Sequence, residues 1–285
     1  LRIFVTGASG QVGSEMARAF AGDVIIPGLR PEFDLTDQRS VERAILESEP
    51  DVVVHLAAFT DVDGCEREPD RAYRANALGT RFVALAARRA GADLVAVSTD
   101  YVFDGAKGEP YVEWDEPRPL SVYGRSKLAG EREALQLSDR CYVVRTSWVY
   151  SPRGRNFVKT MLRLGAERPE ITVVDDEIGA PTLAGDLADA IKPLVRSRAY
   201  GIYHFANAGS CSRYELATRA IERAGLGAKV APVSTSAYLA KTPLPARRPP
   251  YSVLRNFAGA AIGIELPAWD QSLDRFVDGL NHGRT

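Results

Sequence analysis

The chain has 285 residues, 45% of them apolar and 26% charged, with a formal net charge of -1. That balance provides no basic surface for nucleic acid or an anionic membrane, and no apolar run reaches the roughly 18 residues a bilayer span needs. Three scattered cysteines, Cys65, Cys141 and Cys211, argue against a disulfide framework or zinc knot and are expected as buried thiols; with no leader expected before the first strand, the cytoplasm is the expected location.

In chain order, β-branched runs alternate with amphipathic stretches. Strands are predicted at 2–6, 23–27, 51–57, 94–98 and 142–146, and helices at 11–20, 38–48, 70–90 and 124–137. The first four strands are almost unbroken apolar segments, as strands covered on both faces must be. This spacing predicts parallel pairing with right-handed crossovers. The fold class is therefore α/β, a doubly wound parallel sheet that seats ligands at the carboxyl ends of its strands. After Tyr150 the rhythm loosens, with helices at 154–167, 184–195 and 212–225, strands at 171–176 and 201–207, and a Pro/Ala-rich stretch at 226–255. Residues 1–150 are expected to form a dinucleotide-binding domain, with 171–206 completing its sheet. Residues 151–170 and 207–285 are expected to form a smaller substrate lobe. The proline-bearing segment 100–122 reads as a long loop, either functional or a surface excursion.

Gly7, Gly10 and Gly13 follow the first strand directly and open the first helix. A tight turn of this kind, with Gln11 and Val12 inside it, lets backbone N–H groups approach a pyrophosphate. A dinucleotide is the expected cofactor. An acid about 20 residues on would take the ribose 2′-hydroxyl of NAD. The first charge met after the second strand is instead Arg30, which suits a 2′-phosphate. NADPH is favoured, with NADH the alternative because Glu32 and Asp34 follow closely.

Tyr123 and Lys127 are spaced i, i+4 and share one helix face. On their own they could be a solvated face. Here they follow the glycine turn and a strand ending in Ser98, Thr99 and Asp100. A nearby ammonium is expected to lower the tyrosine pKa from its usual value near 10. The phenol then becomes a usable proton donor to a developing alkoxide. Lys127 can also hold the nicotinamide ribose, and Thr99 can orient the substrate carbonyl.

The stretches "GQVG", "STDYVFDG", "YGRSKLAGE", "RTSWVY", "NFVKTMLRL", "GAPT" and "RPPYSVL" resemble, in order, the landmarks of the extended short-chain dehydrogenase/reductase superfamily, and within it the dTDP-4-dehydrorhamnose reductases. The resemblance covers nearly the whole chain. It implies a Rossmann sheet, NADPH, and reduction of the 4-keto group of dTDP-4-dehydro-L-rhamnose. It makes Thr99, Tyr123 and Lys127 the catalytic trio. Asp100, Tyr101 and Trp148 would meet the deoxysugar, and Asn156 and Arg248 the nucleotide end. Ala57, Ala58 and Thr60 would line the cofactor, with Asp34 and Leu35 near the adenine. By residue chemistry alone, Trp148 is a sugar platform or an ordinary core tryptophan. Arg247 with Arg248 is a pyrophosphate clamp or a solvated pair, and Asn156 is a ligand or a helix cap.

Two departures stand out. His55-Leu56 precede the paired alanines where the family commonly has an asparagine, and Glu177 stands where glutamine is common. Some members dimerise through magnesium held by glutamates. Glu15 matches one such position, so magnesium at a homodimer interface is an expectation attached to Glu15, with a solvated Glu15 the alternative. Two other readings belong to the same fold. One is a nucleotide-sugar epimerase or dehydratase, although Thr99-Asp100-Tyr101 lacks the second carboxylate dehydratases usually carry. The other is a non-catalytic dinucleotide-binding subunit similar to the methionine adenosyltransferase beta subunit.

Overall fold

A computed structural model describes residues 1–29 and 31–282; Arg30, expected at the cofactor 2′-phosphate, lies outside the described residues. The first half runs β1 (Arg2–Thr6), α1 (Gly13–Ala19), β2 (Val24–Gly28), α2 (Gln38–Ser48), β3 (Val52–His55), α3 (Val62–Arg67), α4 (Pro69–Tyr73), α5 (Gly79–Ala90), β4 (Asp93–Thr99), α6 (Val122–Leu137) and β5 (Cys141–Thr146). The second half runs β6 (Val149–Tyr150), α7 (Phe157–Glu167), β7 (Glu170–Val174), β8 (Ile178–Gly179), β9 (Thr182–Leu183), α8 (Ala184–Ser197), β10 (Gly201–His204), β11 (Cys211–Ser212), α9 (Arg213–Arg223), β12 (Lys229–Val233), α10 (Thr235–Lys241), α11 (Ala258–Ala261) and α12 (Trp269–His282).

Six strands form one sheet in the order β2-β1-β3-β4-β5-β10, and every pairing is parallel. Successive side chains point to opposite faces of a strand, so one set of apolar residues faces each helix layer. Ile3, Val5, Val52, Val54 and Val144 pack on Met16 and Phe20 at α1 and on Leu187, Ile191 and Leu194 of α8. Phe4, Val53, Leu94 and Val143 pack on Val41 and Ile45 of α2 and on Val83 and Ala87 of α5. Strand order reverses between β1 and β3, which puts the ligand-seating crevice above their carboxyl ends.

The structure differs from the sequence expectation in two places that matter for the site. The helix expected over 70–90 is broken by a π-helical turn at Arg74–Leu78. Within 171–206, Gly201–His204 joins the main sheet, whereas Glu170–Val174 pairs with Lys229–Val233 in a separate ribbon. Short alternating strands of that kind carry no local mark of their partner. The segment after Thr99 is packed rather than loose. Phe103 stacks on Tyr111 at 4.1 Å, and buried Glu113 accepts the backbone N–H groups of His204, Phe257 and Ala258 at 3.1–3.2 Å. The three cysteines are buried and free. No helix among the described residues is long and apolar enough to cross a membrane.

Candidate active site

A cleft of about 710 Å³ opens at the carboxyl ends of β1, β3, β4 and β5. The glycine turn lines one end, and Thr99, Tyr123 and Lys127 line the other. Gly7 has φ of +66°, and a Cβ there would lie 2.9 Å from the Ala57 nitrogen. At Gly13 a Cβ would lie 2.3 Å from the Gly7 carbonyl oxygen. The turn is thus folded as tightly as the sequence spacing implies, and α1 begins with no side chain capping its N-terminus. At the other end, the buried Ser98 and Thr146 hydroxyls have no hydrogen-bond partner among the described residues, and both residues line the cleft. A cradle that excludes side chains at one end and unpartnered hydroxyls at the other fit a dinucleotide.

The loop after β3 is held by a buried network. His55 sits between Thr6 Oγ1, 2.8 Å from Nδ1, and Thr80 Oγ1, 3.0 Å from Nε2. Thr80 gives its proton to the Asn76 carbonyl, so it accepts from Nε2–H, and His55 Nδ1 accepts from Thr6. Burial, with the Lys127 charge second, pushes His55 down to about 3, so it stays neutral. Thr6 Oγ1 also accepts the backbone N–H groups of Leu56 and Ala57 at 3.1 Å. The His55 departure therefore performs a positioning task, and Ala57, Ala58 and Thr60 all line the cleft. Asn76, in the π-helical turn, joins this loop to α6. Its amide oxygen accepts Phe59 N–H at 2.8 Å, and its Nδ2 donates to the Phe59 carbonyl and to Ser126 Oγ, each at 3.0 Å.

Ser121 caps α6 by accepting Gly124 N–H at 3.2 Å. A Cβ at Gly124 would lie 2.1 Å from the Tyr101 carbonyl oxygen, so glycine between Tyr123 and Arg125 is what lets α6 approach the end of β4. The Tyr123 ring meets Tyr101 edge-on at 5.6 Å. Lys127 Nζ donates to the Val97 carbonyl at 2.8 Å, and its burial pushes it down to about 8. One expectation is corrected here. The Tyr123 phenol is pushed up, not down: burial dominates, with Thr99 pulling the other way and the Asp100 charge adding to the rise. The sequence places the ammonium nearby but does not reveal how completely the phenol loses its solvent.

At the far end of the cleft, Thr99 Oγ1 donates to Asp100 Oδ1 at 3.1 Å, and Ser252 Oγ donates to Asp100 Oδ2 at 2.5 Å. Burial still pushes Asp100 up to about 6, against those bonds. Trp148 is not an ordinary core residue. Its backbone has φ of +46°, and its ring lies where a Cβ at Gly179 would be 2.4 Å away. The Arg213 guanidinium covers the ring at 3.5 Å. A second cavity of about 660 Å³ adjoins the cleft and is lined by β7, α10 and the 246–250 loop.

Arg247 and Arg248 both line that second cavity; Arg248 is bonded to Asp63 at 2.8 Å, and Arg247 is exposed. Asn156 both caps α7, accepting Lys159 N–H at 3.0 Å, and donates to Gln11 Oε1 at 3.2 Å. It thus stands beside the dinucleotide turn and lines the cleft. Asp34 and Leu35 do not line the cleft: Asp34 accepts Thr36 N–H at 2.9 Å, and Leu35 packs at Gly79. Glu15 accepts from Arg18 at 3.2 Å, and Arg18 also grips Asp189. Among the described residues of one protomer no three His, Cys, Asp or Glu gather to hold a metal. Asn76, Asp63, Arg213 and Ser252 escape sequence reasoning. The capping box at Ser212 and Glu215 announces where α9 starts but not where Arg213 points.

The family profile described as RmlD substrate binding domain matches residues 1–282. A dTDP-4-dehydrorhamnose reductase of Burkholderia thailandensis is 42% identical, over 98% of this chain and 97% of its own length. The chain belongs to the dTDP-4-dehydrorhamnose reductase family. A Bacillus subtilis relative, the spore coat polysaccharide biosynthesis protein SpsK, is 43% identical over 97% of this chain and 96% of its own. The crystal structure of a Bacillus anthracis dTDP-4-dehydrorhamnose reductase in complex with NADP superposes with a TM-score of 0.93 at 41% identity, covering 96% of this chain and 98% of that one. Against this family background the His55 and Glu177 departures become local adjustments within one architecture. His55 braces the cofactor loop, and Glu177 faces Arg213 at 3.8 Å.

Proposed function

We propose that this chain reduces the 4-keto group of dTDP-4-dehydro-L-rhamnose to give dTDP-L-rhamnose, using NADPH. The observation that carries this reading is Tyr123 sharing one cleft with Thr99, Lys127 and the dinucleotide turn. When bound, NADPH supplies the hydride for the C4 carbon. Thr99 is the hydroxyl that orients the carbonyl, and Tyr123 gives its proton to the oxygen as charge develops there. Lys127, at about 8, keeps most of its charge at neutral pH and is placed to hold the nicotinamide ribose. The turn from Gly7 to Gly13, with Ala57, Ala58 and Thr60, holds the dinucleotide. Asp100, Tyr101 and Trp148 meet the sugar, and Arg248 faces the nucleotide. The proposal includes a cytoplasmic location, a homodimer, and a split between residues 1–150 for cofactor and a smaller lobe from 151–170 and 207–285 for substrate.

The test is NADPH oxidation followed with freshly generated dTDP-4-dehydro-L-rhamnose, with product stereochemistry read by NMR. Stoichiometric NADPH loss with a rhamnose product is expected. Tightly retained NAD with no net NADPH consumption would point to an epimerase instead.

Trp148 supplies a second check. Its left-handed backbone costs on the order of 1–3 kcal/mol and is held by packing on Gly179. Gly179→Ala places a methyl group inside the ring's volume, so the ring must move. The expected result is a KM for the sugar nucleotide raised by about tenfold, with NADPH affinity unchanged and a stability loss of about 1–3 kcal/mol. Steady-state kinetics and denaturant unfolding read the two effects, and an unchanged KM would remove Trp148 from the sugar site.

A further inference from the structure

The cleft and the second cavity share Val62, Tyr101 and Arg213 in their walls. Arg213 is an unusual cation to find there. Its side chain is 18% exposed, and the nearest carboxylate oxygen, on Glu177, is 3.8 Å away. Among the described residues its guanidinium donates no hydrogen bond within normal reach. It lies between two aromatic faces, 3.5 Å from the Trp148 ring centre and 5.1 Å from that of Phe157. A guanidinium carries five fixed donors, and sheltering them without acceptors is costly. The contrast with Arg248 is informative. That residue donates to Asp63 at 2.8 Å and to the Ala246 carbonyl at 3.1 Å, so its donors are already engaged within the protein.

We propose that Arg213 binds the diphosphate of the nucleotide sugar, and that Glu177 limits how tightly that diphosphate is held. This deepens the function proposed above and rests on it. A sugar seated at Tyr123 and a nucleoside seated in the second cavity must be joined across the wall both cavities share. The group that joins them is an anion with geometry suited to a guanidinium fork. Trp148 and Phe157 fix the plane of that fork. Glu177 holds it in place from one side, and its negative charge opposes the incoming diphosphate. Glu177→Gln removes that opposition without removing the side chain.

The experiment is calorimetric titration of dTDP, and separately of NADP+, into the unaltered chain and into Arg213→Gln, Arg213→Lys and Glu177→Gln. Arg213→Gln is expected to weaken dTDP roughly 10- to 100-fold, the loss of charge-assisted hydrogen bonds, while NADP+ binding stays within twofold. Arg213→Lys keeps the charge without the fork and should fall between the two. Glu177→Gln should bind dTDP several-fold more tightly, on the same electrostatic grounds. An Arg213→Gln variant that binds dTDP as well as the unaltered chain overturns the assignment. So does equal weakening of dTDP and NADP+, which marks a purely structural role. If the unaltered chain binds NADP+ but no dTDP, the substrate reading fails and the assignment to Arg213 fails with it.

Discussion

Tyr123→Phe is expected to cut turnover by about 10²- to 10⁴-fold, the usual contribution of a positioned proton donor, and to leave NADPH affinity nearly unchanged. The substitution removes one oxygen and keeps the ring. That ring packs in a small cluster with Cys65, Ala72, Val122 and Phe59 and meets Tyr101 edge-on at 5.6 Å. These contacts do not involve the hydroxyl, so the helix and the cofactor loop stay in place. The hydroxyl itself is held protonated because burial disfavours the phenolate, with Thr99 only partly offsetting this. A protonated phenol placed beside the carbonyl can act as the proton donor in ketone reduction. Turnover within tenfold of the unaltered chain, measured as NADPH oxidation, would show that the proton comes from elsewhere.

What the sequence reveals of this site is what a single turn or strand end encodes. Gly7, Gly10 and Gly13 are legible because the turn they form is local. Tyr123 and Lys127 are legible because i, i+4 spacing fixes a shared helix face. Thr99 is legible because strand ends in doubly wound sheets carry chemistry. The sign of the Tyr123 shift is not legible, since it depends on Tyr101, Thr99 and Asp100 closing around the phenol. Arg213 is not legible either. Its place over Trp148 depends on β11 pairing with β8, two short strands separated in the chain by β9, α8 and β10. Asn76 reads as an unremarkable polar residue in a long helix until the π-helical turn aims it at Phe59 and Ser126. Binary pattern determines the layers, and tertiary closure determines which polar groups lose water.

Lys127→Met is the other large effect, and it should move activity and stability in opposite directions. Burial pushes Lys127 from its usual value down to about 8, a gap worth on the order of 3 kcal/mol against the charged form. The nearby Glu131 charge opposes the shift, but Glu131 is committed to Arg145, with a 2.8 Å contact between side chains 2–3% exposed. Below about pH 8 both folded and unfolded chains carry the Lys127 proton, so the full penalty is felt. Between about 8 and the unfolded value near 10.4 the folded chain has released the proton while the unfolded chain keeps it, and the penalty fades as pH rises. Methionine removes the penalty and leaves the Val97 carbonyl without its donor, a loss of about 1 kcal/mol. Lys127→Met should therefore be more stable than the unaltered chain at neutral pH, with the difference shrinking toward pH 10. Turnover should nonetheless fall by about 10²- to 10³-fold, the range for losing one preorganised electrostatic partner. The pH profile separates the two effects. In the unaltered chain kcat/KM should decline above about pH 8 as Lys127 loses its charge, and the variant should lack that alkaline limb. A variant that is both less stable and equally pH-dependent would mean that Lys127 is a structural group, and the alkaline limb would then have to be sought in another residue.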